Sequence, residues 1–598
     1  MSAPDPPSRA AAAGCGAAWG IAAAGLLLAH LRWPASLAVL GGGALAGAVA
    51  AAAWPRLEAW RRPGLAAGGG AAGALAAFVP EPTFFLLAPM IAAALFWPFR
   101  TSSAPEGIPR ALPAWLVPAL FAASTAVFFL QSANRYWGFG AGSKDLGLFF
   151  QTHWLMAHGL PPQNTVMGMH ALADHMELLD YLVAPLLLLH DGPETLLFVQ
   201  ALAIASAVFP LFWMGRHLLE SSRAGVAAAL VWLLAPDVHL GLMFDYNPTL
   251  LGAAGLVWTA WALFCSRLGV ALAIALLTCL SKENTCLYVV VLGGVAALRG
   301  VPRRRALGVA AVAAALFVIE MTVLFPRFRS GGFRHWEFED LGDTPAETAA
   351  AAVARPHAAV DLLMNHPQKR RALLQPLAAS GYLALADPLA LVLQLPNWGE
   401  RFLSTHRTRW WGYHYGVPAA ATGLIGLMLG WRRLREAGRD GPGLPRYAVA
   451  CALLVGLLPP YRTPAGNRRS DLYHLRQSYV AAPADVATMR EAVAFVGRDP
   501  RVKVAAQDRL LPALAGRPEI YMLDRAAEAD VVVLQMNGAT WPDGRPSWRR
   551  RVRELWGSGA FAVVFCRGES VVLRRGAPPG LPCPAFERQL TEGSVPPS

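Results

Sequence analysis

Asp145 is the carboxylate in this chain best placed to do chemistry. It stands early in SKDLGLFFQTHWLMAHG (143–159), a polar, aromatic and histidine-rich stretch between apolar segments at about 112–130 and 195–213. A linker that only joined two helices would be short and bland. This one also carries His153, His158, His170, Asp174, His175, Glu177 and Asp180. A positioned carboxylate can take a proton from an attacking hydroxyl, which is worth roughly 10²- to 10⁴-fold in rate. The competing reading is that Asp145 stands at the start of an amphipathic helix and favours its N-terminus electrostatically. Leu146, Phe149, Phe150, His153 and Trp154 would then face the membrane or the core.

Further candidates recur at helix ends. Asp174, His175 and Glu177 form a second polar cluster that can hold a phosphate, orient Asp145, ligate a metal together with His170 or His153, or serve as a structural network. Their spacing matches no standard zinc pattern. Asp245 lies in LMFDYNP (242–248), and Lys282 with Glu283 interrupts the otherwise apolar 268–298. Charges so near a membrane are costly and are usually paired or functional. His414 and Tyr415 follow an Arg- and Trp-rich run, Arg407, Arg409, Trp410 and Trp411, suited to bidentate phosphate contact or interface anchoring. The charged segment Arg334, His335, Glu337, Glu339 and Asp343 reads as a solvated face.

These residues must be held by membrane-spanning helices. The 598 residues are 55% hydrophobic and 15% charged, with mean hydropathy +0.38. Soluble domains carry roughly 25% charged residues. Apolar runs near 10–30, 36–54, 64–79, 83–98, 112–131, 195–214, 224–241, 248–265, 268–281, 284–298, 306–325, 413–431 and 446–460 are each read as a span. The fold class expected is a polytopic α-helical membrane protein of about 13–14 spans with a small C-terminal α/β soluble domain. The first run, preceded by Arg9, reads as a retained helix rather than a cleaved signal.

The net charge of +13 does not point to nucleic acid. The basic residues cluster in short loops, at Arg56, Arg61 and Arg62, Arg216 and Arg223, Arg299 and Arg303–Arg305, and Arg432–Arg439, as the positive-inside rule requires. Placing those loops inside puts Asp145, 240–247, 326–371 and the C-terminal domain outside. The count closes only if the proline-punctuated 372–400 enters and leaves on one side, as a hairpin or two short helices. Arg462, Arg468, Arg469 and Arg476 would then be outside, which long translocated domains tolerate.

Beyond about 460 the pattern changes. Short runs VKVAA, EIYML, DVVVL, FAVVF and SVVLR alternate with helical patterns at 484–497 and 546–557, an α/β signature. Neither GxGxxG nor a P-loop occurs, so no nucleotide cofactor is indicated. There is no CxxC among the seven cysteines. Cys15, Cys265, Cys279, Cys286 and Cys451 fall in apolar spans, whereas Cys566 and Cys583 can pair if their domain is extracytoplasmic. The expected organisation is 1–111, extra N-terminal helices; 112–460, the membrane core with external loops 132–194 and 326–371; 461–577, the α/β domain; and 578–598, a loose tail.

The ordered motifs KDLGLFFQTHWLMAHG (144–159), ADHMELLDYLVAPL (173–186), LMFDYNP (242–248), LSKENTCL (280–287), LGDTP (341–345) and YHYGVP (413–418) resemble the bacterial membrane-protein family with domain of unknown function 2079. AAQDRLLPALAGRPEIYML (505–523) resembles that family's tail. The resemblance runs from about 112 to 575. The family is similar to the C-type membrane glycosyltransferases, which use lipid-phosphate-linked sugars at the extracytoplasmic face. It therefore implies a C-type glycosyltransferase-like core in a bacterial inner membrane, a polyprenyl-phosphate-linked sugar as partner, and Asp145 as the catalytic or metal-associated acid. Asn247, Thr249 and Asn284 depart from the pattern, and their roles are not carried over. The alternative is a non-enzymatic transporter or envelope assembly component for lipid-linked substrates, which paired charges deep inside two or more spans would favour.

Overall fold

The computed structural model describes residues 112–329, 333–441, 443–456, 483–578 and 580–591. The first four expected spans, Cys15, the arginines at 462–476 and the end of the tail lie outside the described residues.

Each span expected from 112–131 onward coincides with a helix. The helices among the described residues include α1 (Leu116–Trp137), α2 (Leu148–Ala157), α3 (Glu194–Leu218), α4 (Ser222–Leu234), α5 (Pro236–Leu242), α6 (Pro248–Phe264), α7 (Leu268–Cys279), α8 (Thr285–Leu298), α9 (Arg303–Phe328), α10 (Pro367–Ala379), α11 (Leu395–Phe402), α12 (Val417–Glu436) and α13 (Leu444–Gly456). By length and composition α1, α3 and α9 can cross a membrane singly, and α4 with α5 forms a further pair bent by 47°. The bend falls at Pro236, where the ring removes a backbone donor and disfavours helical geometry at Ala235. The 12-residue α7 and 14-residue α8 are short of the roughly 20 residues that a straight crossing needs. Small residues let the helices close up. A Cβ on Gly215 would lie 2.2 Å from Cα of Gly225, so α3 and α4 meet backbone to backbone.

The ambiguous stretch 372–400 folds back on itself. Its ends meet where Lys369 Nζ donates to the Phe402 carbonyl at 2.7 Å. Its midpoint, Asp387, accepts from Arg299 Nε at 2.6 Å, on the basic loop after α8. Gly430 permits the hairpin to press on α12, since a Cβ there would sit 1.9 Å from the Leu383 carbonyl oxygen. Among the described residues, the basic loops after α3, α8 and α12 gather at one end of the bundle, where His217, Glu220, Arg299, Arg432 and Arg435 line a cavity of about 480 Å³.

A two-stranded hairpin, β1 (Gln163–Asn164) and β2 (Met169–His170), follows α2. The C-terminal domain holds all five expected strands: β3 (Val504–Ala506), β4 (Ile520–Tyr521), β5 (Val531–Gln535), β6 (Phe561–Arg567) and β7 (Ser570–Arg575), in the order β4-β3-β5-β7-β6. The first three are parallel and the last two form an antiparallel hairpin. Strand alternation sends Val531 and Val533 to one face and Val532 and Leu534 to the other. Helix α14 (Pro483–Val496) covers the first face with Met489 and Ala492, and α15 (Arg545–Gly557) covers the second with Trp548 and Val552. The first face also packs on Phe149, Phe150 and Trp154 of α2, which joins the domain to the helical core.

One expectation is corrected. The tail taken as loose from 578 contains α16 (Pro584–Thr591), with Ala585 and Phe586 buried. Cys583, at its start, forms a disulfide with Cys566 on β6, 17 residues away. Closing a loop of about 15 residues stabilises a domain by about 3 kcal/mol in the chain-entropy account. Replacing both cysteines with serine is therefore expected to lower the stability of the C-terminal domain by that margin, read as a lower midpoint in thermal or denaturant melts. An unchanged midpoint would mean that α16 holds by packing alone.

Candidate functional site

Asp145 lies in a π-helical turn, Ser143–Gly147, that leads into α2, not in an α-helical first turn. Such turns insert a residue into the helical ladder and recur at functional sites. Two carboxylates from distant parts of the chain hold this one. Asp245 Oδ2 accepts from the Gly142 amide at 2.9 Å. Asp508 Oδ1, just beyond β3, accepts from the Ser143 amide at 2.9 Å and its hydroxyl at 2.7 Å. Asp245 is itself ion-paired to Arg135 at the end of α1, and holds φ at 106°, a conformation costly for a non-glycine residue. Asp245, expected as a substrate contact, thus touches the turn that carries Asp145 through the Gly142 amide. Asn247 caps α6 by accepting from the Thr249 amide at 3.0 Å.

Beside the turn the structure assembles the other candidates. His175 Nδ1 bonds Glu283 Oε1 at 2.9 Å, and the Met176 amide donates to Glu283 Oε2 at 3.0 Å. Lys282 Nζ lies 3.5 Å from Glu177 Oε1. His335 Nε2 bonds Asp174 Oδ1 at 2.9 Å, and its ring stacks on His175 with centroids 4.3 Å apart. Arg409 donates to the His335 carbonyl at 2.9 Å and pairs with Glu337 at 3.0 Å. His414 is buried next to Tyr415, their ring centroids 4.0 Å apart, and its Nδ1 has no hydrogen-bond partner among the described residues. The charges of Lys282, Arg409, Asp145 and Glu337 all act on the Tyr415 phenol. Asp145, Asp174, His175, Glu177, Lys282, Glu283, Arg409, His414 and Tyr415 therefore lie in one neighbourhood, with Asp245 behind it.

Burial and charge set the protonation states. Burial, and then Lys282, push the His175 imidazole down, while Glu283 opposes them. Burial would raise Glu283, but His175 and Lys282 bring its carboxyl down to about 2. Burial would lower the Lys282 ammonium, yet Glu177 and Glu283 raise it, so it stays charged. Asp174 is held well below its usual range against the pull of burial, chiefly by His335.

Ligand atoms of Asp174, His175 and His335 lie within 4.8 Å of one another, the set among the described residues suited to a metal. With Nδ1 of His175 engaged by Glu283, its Nε2 is the ring atom left to face a metal, an orienting arrangement common around bound metals. The pairing of His175 with His170 or His153 is not what the fold brings together. His170 stacks on Phe328, and His153 is buried 3.4 Å from Asp180. His335 and Glu337 were passed over as a solvated face, although histidine within an acidic run is itself a signal. Glu400 and Arg401 were also missed. Glu400 accepts from Asn284 Nδ2 at 2.7 Å and from Tyr288, and Arg401 donates to the Arg409 carbonyl at 3.0 Å, which braces the segment bearing Arg409. Two adjacent charges inside 372–402 were the signal available.

A family profile described as a predicted membrane protein, DUF2079, matches residues 135–572, which span every candidate above. The chain belongs to the DUF2079 family. Its motifs, from KDLGLFF to YHYGVP, all lie within the DUF2079 match. Among solved structures, the fold is similar to ArnT from Cupriavidus metallidurans bound to undecaprenyl phosphate, at 14% identity and TM-score 0.46, over 79% of this chain and 100% of that one. It is also similar to the apo state of the same protein, at 12% identity and TM-score 0.45, over 76% and 98%. No curated protein sequence matches this DUF2079 chain.

Proposed function

We propose that the protein is an inverting C-type membrane glycosyltransferase that moves a sugar from a polyprenyl-phosphate donor to an extracytoplasmic acceptor. The observation that carries this reading is the firmly gripped turn of Asp145 beside Lys282, Arg409 and the two stacked histidines. In this reading the Asp145 carboxylate takes the proton of the acceptor hydroxyl. The hydroxyl oxygen bonds to the anomeric carbon, and the bond from that carbon to the phosphate oxygen breaks, leaving its electron pair on the phosphate. Lys282 and Arg409 hold that phosphate, with His414 and Tyr415 beside it. The charge pairs sit in turns at helix ends, which favours chemistry at the membrane surface over transport.

The same reading sets the chain in a bacterial inner membrane with about 13–14 spans, the basic loops in the cytoplasm, and the C-terminal domain outside. It is tested by mass spectrometry of lipid-linked and envelope glycans. A glycan lost on deletion, restored by the wild-type gene and not by Asp145→Asn at equal abundance, is the expected result. An unchanged profile in all strains would overturn it.

A divalent metal is included in the proposal. Ligands of one tetrahedral zinc lie about 2.0–2.2 Å from it, so Asp174, His175 and His335 need to close in slightly, with His335 turning from its bond to Asp174. Held there, the metal would supply positive charge for the departing phosphate. The purified protein is expected to retain about one zinc per chain by elemental analysis, with most of it lost in His335→Ala. Equal zinc in wild type and variant would remove the metal from the proposal.

A further inference from the structure

The α/β domain has a cavity of its own, of about 180 Å³, at the carboxyl ends of its parallel strands. Its position follows from topology. After β3 the chain turns to the face shared with α2, where Leu511 and Leu514 pack against Phe149 and Phe150. After β4 it turns to the opposite face, where Leu523 and Ala526 pack with Trp548. Neighbouring parallel strands whose connections leave on opposite faces open a crevice at their carboxyl ends, the usual ligand position in open α/β sheets. Asp508 follows β3, Met522 and Asp524 follow β4, and both sides line the cavity.

The lining has a definite chemistry. Trp541 stands 47% exposed at the cavity, an indole face that folding has not buried. Asp508, Asp524 and Asp543 supply acceptors for hydroxyl groups, and Arg551, 3.2 Å from Asp543, supplies a donor. Carboxylates outnumber the cation, which disfavours phosphate or any other anion. An aromatic face with carboxylates at its edge suits a pyranose, whose C–H face packs on the ring while its hydroxyls donate outward. The volume is below the roughly 300–1,000 Å³ of pockets for drug-sized ligands and suits a single sugar ring.

The cavity also adjoins the Asp145 turn. Asp508 holds Ser143 by two hydrogen bonds, and the Lys144 ammonium sits 5.3 Å from the centre of the Trp541 ring. We propose that this cavity binds a neutral saccharide ring and that this ring is the acceptor end of the substrate. The binding stands on the cavity; the acceptor role rests on the transferase reading. It gives the domain a task, to present a hydroxyl to a base two residues from its own Asp508 contact.

The test uses the full chain in lipid nanodiscs, free of sugar detergents, with saturation-transfer NMR. The probes are methyl glycosides of glucose, galactose, mannose and N-acetylglucosamine, with methyl glucuronide as the anionic control. At least one neutral glycoside is expected to show transfer that falls fivefold or more in Trp541→Ala, persists in Trp541→Phe and Asp145→Asn, and is absent for the glucuronide. Trp541 is exposed, and matching melting curves establish that its variants are folded. No transfer above empty nanodiscs, equal transfer in Trp541→Ala, or preference for the glucuronide would each overturn the proposal. Saccharide binding with an Asp145→Asn strain of normal glycan profile would uphold the site and remove the acceptor role. Loss of glycan in that strain without saccharide binding would remove the site, and the acceptor role with it, and leave the transferase reading standing.

Discussion

Asp145→Asn is expected to lower sugar transfer by roughly 10²- to 10⁴-fold, the span that a positioned general base contributes. The amide keeps the shape of the carboxylate and cannot take the proton. The turn does not depend on that side chain for its anchors, because Gly142 is held by Asp245 and Ser143 by Asp508. Fold and donor affinity should therefore persist while turnover falls. The measurement is initial rate against donor concentration, using the lipid-linked sugar that accumulates in the deletion strain, with a melting curve alongside. A fall in kcat at constant KM marks a group acting in the transition state. Turnover within threefold of wild type would take Asp145 out of the mechanism.

The second large effect is on stability. Lys282→Met is expected to cost about 3–5 kcal/mol, the penalty for removing one member of a buried ion pair. Lys282 is 7% exposed, Glu177 9% and Glu283 4%, so the carboxylates left behind cannot turn to water. The double variant Lys282→Met with Glu177→Gln should recover more than half of the loss, because a double-mutant cycle separates pairing from burial. Unfolding in nanodiscs, followed by tryptophan fluorescence, supplies the three midpoints. If Lys282→Met melts like wild type, the ammonium is solvated and is not the buried cation described here.

Much of the architecture follows from local pattern. Short continuous apolar runs such as DVVVL and FAVVF are enough to mark strands, because side chains on both faces of the sheet meet a helical layer. Apolar runs mark the helices from 112 onward, and Pro376, Pro388 and Pro396 mark a stretch that does not run straight. Asp145, Lys282 and Glu283 stand out because a charge next to an apolar run is expensive and needs a reason.

Tertiary structure decided which of these residues meet. His335 reaches Asp174 across 161 positions, and Asp508 reaches Ser143 across 365. Contacts at that separation depend on how loops pack over the helix ends, and neither hydropathy nor period records loop packing. For the same reason the sequence does not show that Asp245, at a helix end, pairs with Arg135 and accepts from the Gly142 amide. The sequence by itself determined the layers and the charges that must be paired; the packing of distant loops chose the partners, and with them the site.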